Sequence, residues 1–308
     1  MMNRSVPTMI LPRLLTRLLL GVCCGLAGGW VFGQDAVRPP RGVSIVVPEE
    51  TRVAEGFDPA ESAGLFVGIR HFDDERLAEV PFAVDDAIDL AHLFALELDL
   101  IAPGKLVLAL AGEPRKSESK NRLQALLDAG AVREGARQAE IYDLLDKRGK
   151  ATNAKGLFVV ALATHGFSDQ GSDYLVASDS LRRRIVRTGI AVSELFDDVA
   201  RATAPRRIVI LDACRERLSA ATRAGSADAA SAMSQTFAEA IACAAGLVVL
   251  SRTTHGGYSY DDFERSNGVF TAAIVDGLRG RAPADERSLI TVRSLADYVD
   301  QRVRECLF

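Results

Sequence analysis

From Leu65 onward the chain alternates between two hydrophobic patterns. Short, nearly continuous apolar runs occur at Leu65–Ile69, Leu106–Leu110, Gly156–Ala163, Tyr174–Ala177, Arg207–Leu211 and Leu247–Leu250. Runs of this length have the character of strands buried on both faces. Between them the apolar positions fall three or four residues apart, as at Val84, Ile88, Ala91, Ala95 and Leu98. Val192 to Ala200 has the same spacing, as do Phe270, Ile274 and Leu278, and then Val292, Leu295, Val299 and Val303. That spacing lays one apolar stripe along a helix. A polar helical stretch is expected from Ser119 to Lys147 and a helix from Phe237 to Ala245. The Ala/Ser-rich residues 218–235 show no period and read as a surface loop. Strands alternating with helices predict an α/β fold, a mostly parallel sheet of about six strands with helices on both faces. One domain, residues 61–308, accommodates all of it, and no internal repeat is visible.

The segments upstream have a different character. Residues 34–60 carry Pro39, Pro40, Pro48 and Pro59 without a sustained period and read as a linker. Residues 1–33 read as a signal peptide: Arg4, Arg13 and Arg17 form a positive region, and Leu18 to Phe32 an apolar run ending at Gly33. The run is short of the roughly twenty apolar residues that a membrane span needs. The expectation is therefore an exported protein, periplasmic or secreted, with an uncleaved membrane anchor as the alternative. Contact with a membrane is expected only through this segment.

Composition narrows the function classes. Hydrophobic residues make up 48% and charged residues 25%, enough for a sizeable folded core. The formal charge is −4 and no long basic stretch occurs, which argues against nucleic acid as a partner. Of five cysteines, Cys23 and Cys24 lie in the signal, leaving Cys214, Cys243 and Cys306. An odd number in an exported chain leaves at least one thiol unpaired. No Cys-x-x-Cys or Cys/His cluster points to zinc, and no metal or other cofactor is implied.

In parallel sheets reactive groups tend to sit just beyond the carboxyl ends of strands. Two such ends carry chemistry: the third apolar run leads into Ala163-Thr164-His165-Gly166, and the fifth into Asp212-Ala213-Cys214-Arg215. A thiol beside an imidazole is a nucleophile with its base, because the imidazole draws the proton and leaves the thiolate. Gly166 has no side chain, so a substrate carbonyl could approach its N–H, and the N–H groups of Gly166 and Cys214 are the candidate oxyanion donors. Alone, a cysteine after a strand is usually a core residue and a loop histidine usually solvated. Together, 49 residues apart and each at a strand end, they carry more weight. Of the other histidines, His71 follows the first strand, His92 lies within a helix, and His255 sits in a late loop with no matching cysteine, so they are weaker candidates for the base.

Around that pair the sequence resembles the caspase-like cysteine peptidases, a group that includes the bacterial caspase-like, metacaspase and paracaspase domains. Thr164-His165-Gly166 resembles the Ser-His-Gly of caspases, and Asp212-Ala213-Cys214-Arg215 their Gln-Ala-Cys-Arg with one change. The entry strand followed by Val84-Asp85-Asp86-Ala87 is similar, as are Ser251-Arg252-Thr253, Tyr258-Ser259-Tyr260-Asp261 and Gly268-Val269-Phe270-Thr271. The resemblance implies a caspase-haemoglobinase-type fold, polypeptide substrates, and a cysteine endopeptidase with His165 and Cys214 as catalytic dyad. Asp212 stands where caspases have Gln, as in metacaspases and paracaspases, which cut after Arg or Lys. Asp86 and Asp261 match further pocket carboxylates by the same resemblance, with Asp85 and Asp262 as adjacent competitors. For Asp86 the plainer reading is a helix cap. Arg215-Glu216-Arg217 after the cysteine departs from the metacaspase pattern and weakens any inference of calcium activation. Two other readings stand beside the peptidase: a catalytically silent caspase-like interaction module, and a hydrolase of non-peptide acyl substrates.

Overall fold

The computed structural model describes residues 42–46, 56–217, 247–253, 261–262, 267–286 and 290–305. The expected signal segment, the loop 218–235 and the helix Phe237–Ala245 lie outside the described residues. No helix among the described residues is long and apolar enough to cross a membrane.

The apolar runs become strands. In chain order these are β1 (Gly42–Val46), β2 (Ala63–Ile69), β3 (Leu106–Ala111), β4 (Val132–Glu134), β5 (Leu157–Asp169), β6 (Ser172–Leu175), β7 (Ile190–Ala191), β8 (Arg206–Arg217) and β9 (Leu247–Thr253), followed by the short pair β10 (Asp261–Asp262) and β11 (Asn267–Gly268). The main sheet runs β1-β9-β8-β5-β2-β3-β4. Its six strands from β9 to β4 are parallel to their neighbours; five of the expected runs are among them, the sixth strand, β4, lies in the stretch expected to be helical, and the expected run at Tyr174–Ala177 is the antiparallel β6 beside β5. β1 joins β9 antiparallel, so part of the segment read as linker forms an edge strand. Gly42-Val43-Ser44-Ile45-Val46 places β-branched residues at every second position, a strand pattern that the surrounding prolines obscured.

The helices are α1 (Ala83–His92), α2 (Ser117–Asp128), α3 (Gln138–Lys150), a single turn α4 (Ile185–Thr188), α5 (Val192–Ala200), α6 (Val269–Asp276) and α7 (Val292–Glu305). The one helical stretch expected over 119–147 is two helices with β4 between them. Gly130, at φ 104°, ends the first in a left-handed conformation that glycine adopts without strain. Apolar side chains of alternate strand positions fill two cores. One face packs Phe66, Ala161 and Ile210 against α1, α2, α6 and α7, and the other packs Val67, Val160 and Val209 against α3 and α5.

The first face carries the site. Following Phe66, Ala161 and Ile210 by two residues gives a cross-strand row of Gly68, Ala163 and Asp212. Small residues in that row let α1 settle directly on the sheet. A methyl group added at Gly68 would stand 2.6 Å from the Ala83 carbonyl oxygen and 2.8 Å from the Val84 Cα. Two residues further comes the row His165–Cys214. Here the strands overrun the rest of the sheet: β2 stops at Ile69, and the register of β8 with β9 ends at Leu211↔Ser251. β5 and β8 remain paired through Ser168↔Arg217. The dyad positions therefore lie within two projecting strands rather than at strand ends, a correction to the sequence reading. The polar run Thr164-His165-Gly166-Phe167-Ser168-Asp169 looks like loop in sequence but is held extended by β8 on one side and β6 on the other.

Replacing Gly68 by Ala forces backbone to move rather than a flexible side chain. The variant is expected to lose about 1–3 kcal/mol of stability, the usual range for overpacking, read as a lower urea midpoint at unchanged slope.

Candidate active site

Cys214 is the direct cross-strand partner of His165, as Asp212 is of Ala163. The imidazole is oriented by the loop between β2 and α1. Its Nε2 lies 2.7 Å from the carbonyl oxygen of Ala78. A carbonyl can only accept, so Nε2 carries the proton and Nδ1 is left with the lone pair. Phe72, from the same loop, stacks on the ring at 5.2 Å between centroids, and Phe167 approaches its other surroundings at 6.5 Å. Backbone direction at Gly166 follows from one bond. The Val176 N–H donates to the His165 carbonyl at 3.0 Å, on the β6 side. Successive peptide groups of a strand point to opposite edges, so the Gly166 N–H points toward β8 and Cys214.

Beside the dyad a cleft of about 470 Å³, its open mouth included, is lined by Glu79, Val80, Pro81, Ala83, Asp86, Ala163, Thr164, His165, Asp212 and Gly268. Three of these are carboxylates, and among the described residues no Lys or Arg lines it. The expected pocket acids converge on one residue, Gly268. Its N–H donates to both carboxylate oxygens of Asp86, at 3.2 and 3.3 Å. A methyl group built on it would meet Asp212 Oδ2 at 2.8 Å and Asp86 Oδ2 at 3.0 Å. In the β10–β11 pair Gly268 is the partner of Asp261, while Asp262 pairs with Asn267. The backbone of Asp261 thus reaches the same point.

The alternatives at α1 resolve. Asp86 lies in the first turn of α1, yet no side chain caps that helix. Asp85 turns away and accepts the backbone N–H groups of Arg115 and Lys116 at 3.0 and 2.9 Å, fastening the start of α2. Asp89, a turn later, is ion-paired with Lys116 and Arg122. Only Asp86 faces the cleft. Of the other histidines outside the site, His71 is exposed after β2, and His92 at the end of α1 pairs with Glu97 at 3.0 Å. His255 lies outside the described residues.

Four contributors escaped the sequence reading: Thr271, Gly268, Glu79 and the Ala78 carbonyl. The Thr271 hydroxyl donates to Asp212 at 2.9 Å. It follows Gly268 by three residues at the start of α6, so that helix N-terminus, which favours negative charge, faces both acids. Gly268 and Thr271 stood in the quoted motif without a role. Glu79 and the carbonyl of Ala78 had no signal at all, since their loop has no period and every residue has a carbonyl.

The two inner carboxylates oppose each other. Burial pushes the Asp86 carboxyl well above the usual carboxylate range, and the charges of Asp212 and Asp89 push it further, against the Gly268 N–H and Lys116. Glu79 differs: the Arg70 guanidinium bonded to it holds its carboxyl below the usual range.

A family model described as the caspase domain matches residues 63–306. The protein GSU0716 from Geobacter sulfurreducens is similar in crystal structure, at 14% identity and a TM-score of 0.46, over 78% of this chain and 88% of that one. Caspase-1 from Spodoptera frugiperda is similar at 14% identity and a TM-score of 0.45, over 82% of each chain. The Drosophila initiator caspase Dronc is similar at 14% identity and a TM-score of 0.41, over 81% of this chain and 78% of that one. No curated protein matches the chain.

An acid with a higher pKa in the folded state than in the unfolded chain gains protons on folding. Its effect on stability is then absent at low pH and unfavourable once pH rises above the ordinary Asp value of about 3.9. Asp86→Asn is accordingly expected to raise the melting temperature at pH 7.5, with the gain shrinking steadily toward pH 4. A variant less stable than the parent at pH 7.5 would contradict the opposed pair.

Proposed function

Because the chain belongs to the caspase-domain family, whose fold is of cysteine-peptidase type, we propose that it is a cysteine endopeptidase using His165 and Cys214 and cutting after basic residues. The observation that carries the reading is the pair of adjacent rows in β5 and β8, Ala163–Asp212 and His165–Cys214, which sets an acidic cleft beside the dyad positions.

The chemistry follows from the orientation of the imidazole. With Nε2–H held by Ala78, Nδ1 takes the thiol proton of Cys214, and the thiolate attacks the substrate carbonyl carbon. The N–H groups of Gly166 and Cys214 are the oxyanion donors of this reading, and taking that role requires them to leave the β5–β8 ladder in which they are paired here. The proton on Nδ1 passes to the leaving amine, and the C–N bond breaks. Water, deprotonated by Nδ1, then attacks the thioester carbon, and the thiol is expelled with its proton restored. No metal or second cofactor enters any of these steps.

Specificity rests on Asp86 and Asp212, with Asp261 as the third carboxylate of the pocket. Two unit charges about 4 Å apart interact by about 4 kcal/mol at an effective dielectric near 20. About 1.4 kcal/mol already amounts to tenfold in rate. A guanidinium relieves the repulsion of the empty pocket and can bond a carboxylate in a bidentate way, so Arg outranks Lys. Residues 1–33 are, in this reading, an export signal, and the substrates are polypeptides met outside the cytoplasm.

Cys214→Ala and His165→Ala are each expected to abolish peptide cleavage, since each removes half of a unit, while melting temperatures stay near that of the parent. Full activity in either would sink the dyad. A silent interaction module predicts no turnover in the parent itself. The pocket is tested with fluorogenic peptides differing only in the residue before the bond: Arg first, Lys second, Asp uncut, with Asp212→Gln at least tenfold slower on the Arg peptide. A parent enzyme that prefers Asp overturns the pocket while sparing the dyad.

A further inference from the structure

The loop that orients His165 is held at several points: the Asp73 N–H donates to the Ser178 carbonyl at 2.8 Å, the Arg182 N–H donates to the Asp74 carboxylate at 2.9 Å, and Arg70 closes its base beside Ala78. Arg70 directly follows β2. Its backbone N–H donates to the Ala111 carbonyl at 2.9 Å, and its own carbonyl accepts from the Val80 N–H at 3.1 Å, closing residues 71–79 into a loop. Its guanidinium does the same through side chains. Nε bonds the Glu79 carboxylate, and Nη1 donates to the Glu113 carbonyl at 3.2 Å. Arg115, which lies over the Phe82 ring, adds a second cation 3.6 Å from Glu79.

Ala78 is thereby fixed through both of its neighbours. On one side Leu77 is buried against Phe167, Val176 and Ile185, and its N–H donates to the Asp74 carbonyl at 2.9 Å. On the other side Glu79 is clamped by Arg70. Between them the Ala78 carbonyl has little freedom except to face Nε2 of His165. Resting on the dyad reading above, we propose that Arg70 and Glu79 are positioning residues for the general base. Their ion pair holds the carbonyl that keeps the proton on Nε2, and so keeps Nδ1 basic toward Cys214. Neither residue is asked to touch the scissile bond.

Glu79 also lines the cleft, which supplies the rival explanation that it binds the basic substrate side chain directly. The two differ in what they move. A positioning residue acts on kcat for every substrate by one factor, and on the imidazole tautomer with no substrate present. A substrate-binding carboxylate acts on KM and on the preference of Arg over Lys.

The test uses the full chain labelled with 15N-histidine, whose four histidines allow His165 to be assigned from the His165→Ala spectrum. At a pH where the imidazole is neutral, the parent should show a protonated Nε2 and an unprotonated Nδ1. Glu79→Ala should show a mixture of tautomers and a kcat about tenfold lower on Arg and Lys peptides alike, with KM within twofold. Glu79→Gln, which fills the same volume, should move in the same direction by less and guards against a folding loss. An unchanged tautomer with a raised KM for the Arg peptide overturns the proposal in favour of direct binding. Failure of the dyad reading looks different, because His165→Ala would then keep its activity whatever the tautomer does.

Discussion

The register between β5 and β8 is the constraint on which the rest depends. Twelve consecutive positions pair from Leu157↔Arg206 to Ser168↔Arg217, and the alternation of strand side chains turns that register into an assignment of faces. A slip of one residue would send Asp212 to the face covered by α3 and α5 and break the row with Ala163. The slip is opposed by the apolar rows below, Val159–Ile208 to Leu162–Leu211, each of which is buried on its own face. Core packing in the middle of the sheet therefore sets the chemistry at its edge, and the site needs no separate device to align its two strands.

Within that frame the pocket is a place of deliberate opposition. Asp86 and Asp212 share a dry corner, with Gly268 and the first turn of α6 supplying what relief there is. Burying an acid beside a second acid is unfavourable, and burial together with the Asp212 charge pushes the Asp86 carboxyl well above the usual carboxylate range. Glu79 shows the contrasting solution a few residues away, a carboxylate at the same cleft already matched with Arg70. One cleft thus contains an acid paired with a cation and two that are met only by neutral donors, the Gly268 N–H and the Thr271 hydroxyl, among the contacts described above.

The sequence made the strands and the neighbouring positions of His165 and Cys214 legible because those features are local. Val, Ile and Leu in short runs announce buried strands, and Cys214 and His165 have side chains of rare chemistry. Asp212 was legible for the same reason, standing two residues before the cysteine. The extension of β5 beyond Ala163 was not, because Thr164 to Asp169 is polar and becomes strand only through its neighbours. Gly42–Val46 was hidden by nearby prolines, and the break at Gly130 was lost in a long polar stretch. Choosing Asp86 over Asp85 required three dimensions: both are buried in the same turn, and only the placement of α2 shows which one is already occupied. Ala78 could not be found at all, since its contribution is a backbone atom that every residue possesses.

The hydrogen bond from Gly268 to Asp86 spans 182 residues of chain. Contacts of such separation form late, because the loop they close must lose its entropy before the contact repays it. A chain made from its N-terminus presents His165 and Cys214 to one another well before Gly268 exists. For that interval the reactive strands can pair while the acidic pocket has no wall. On the proposed reading the selectivity of the site is thus assembled last, after the two strands that carry His165 and Cys214.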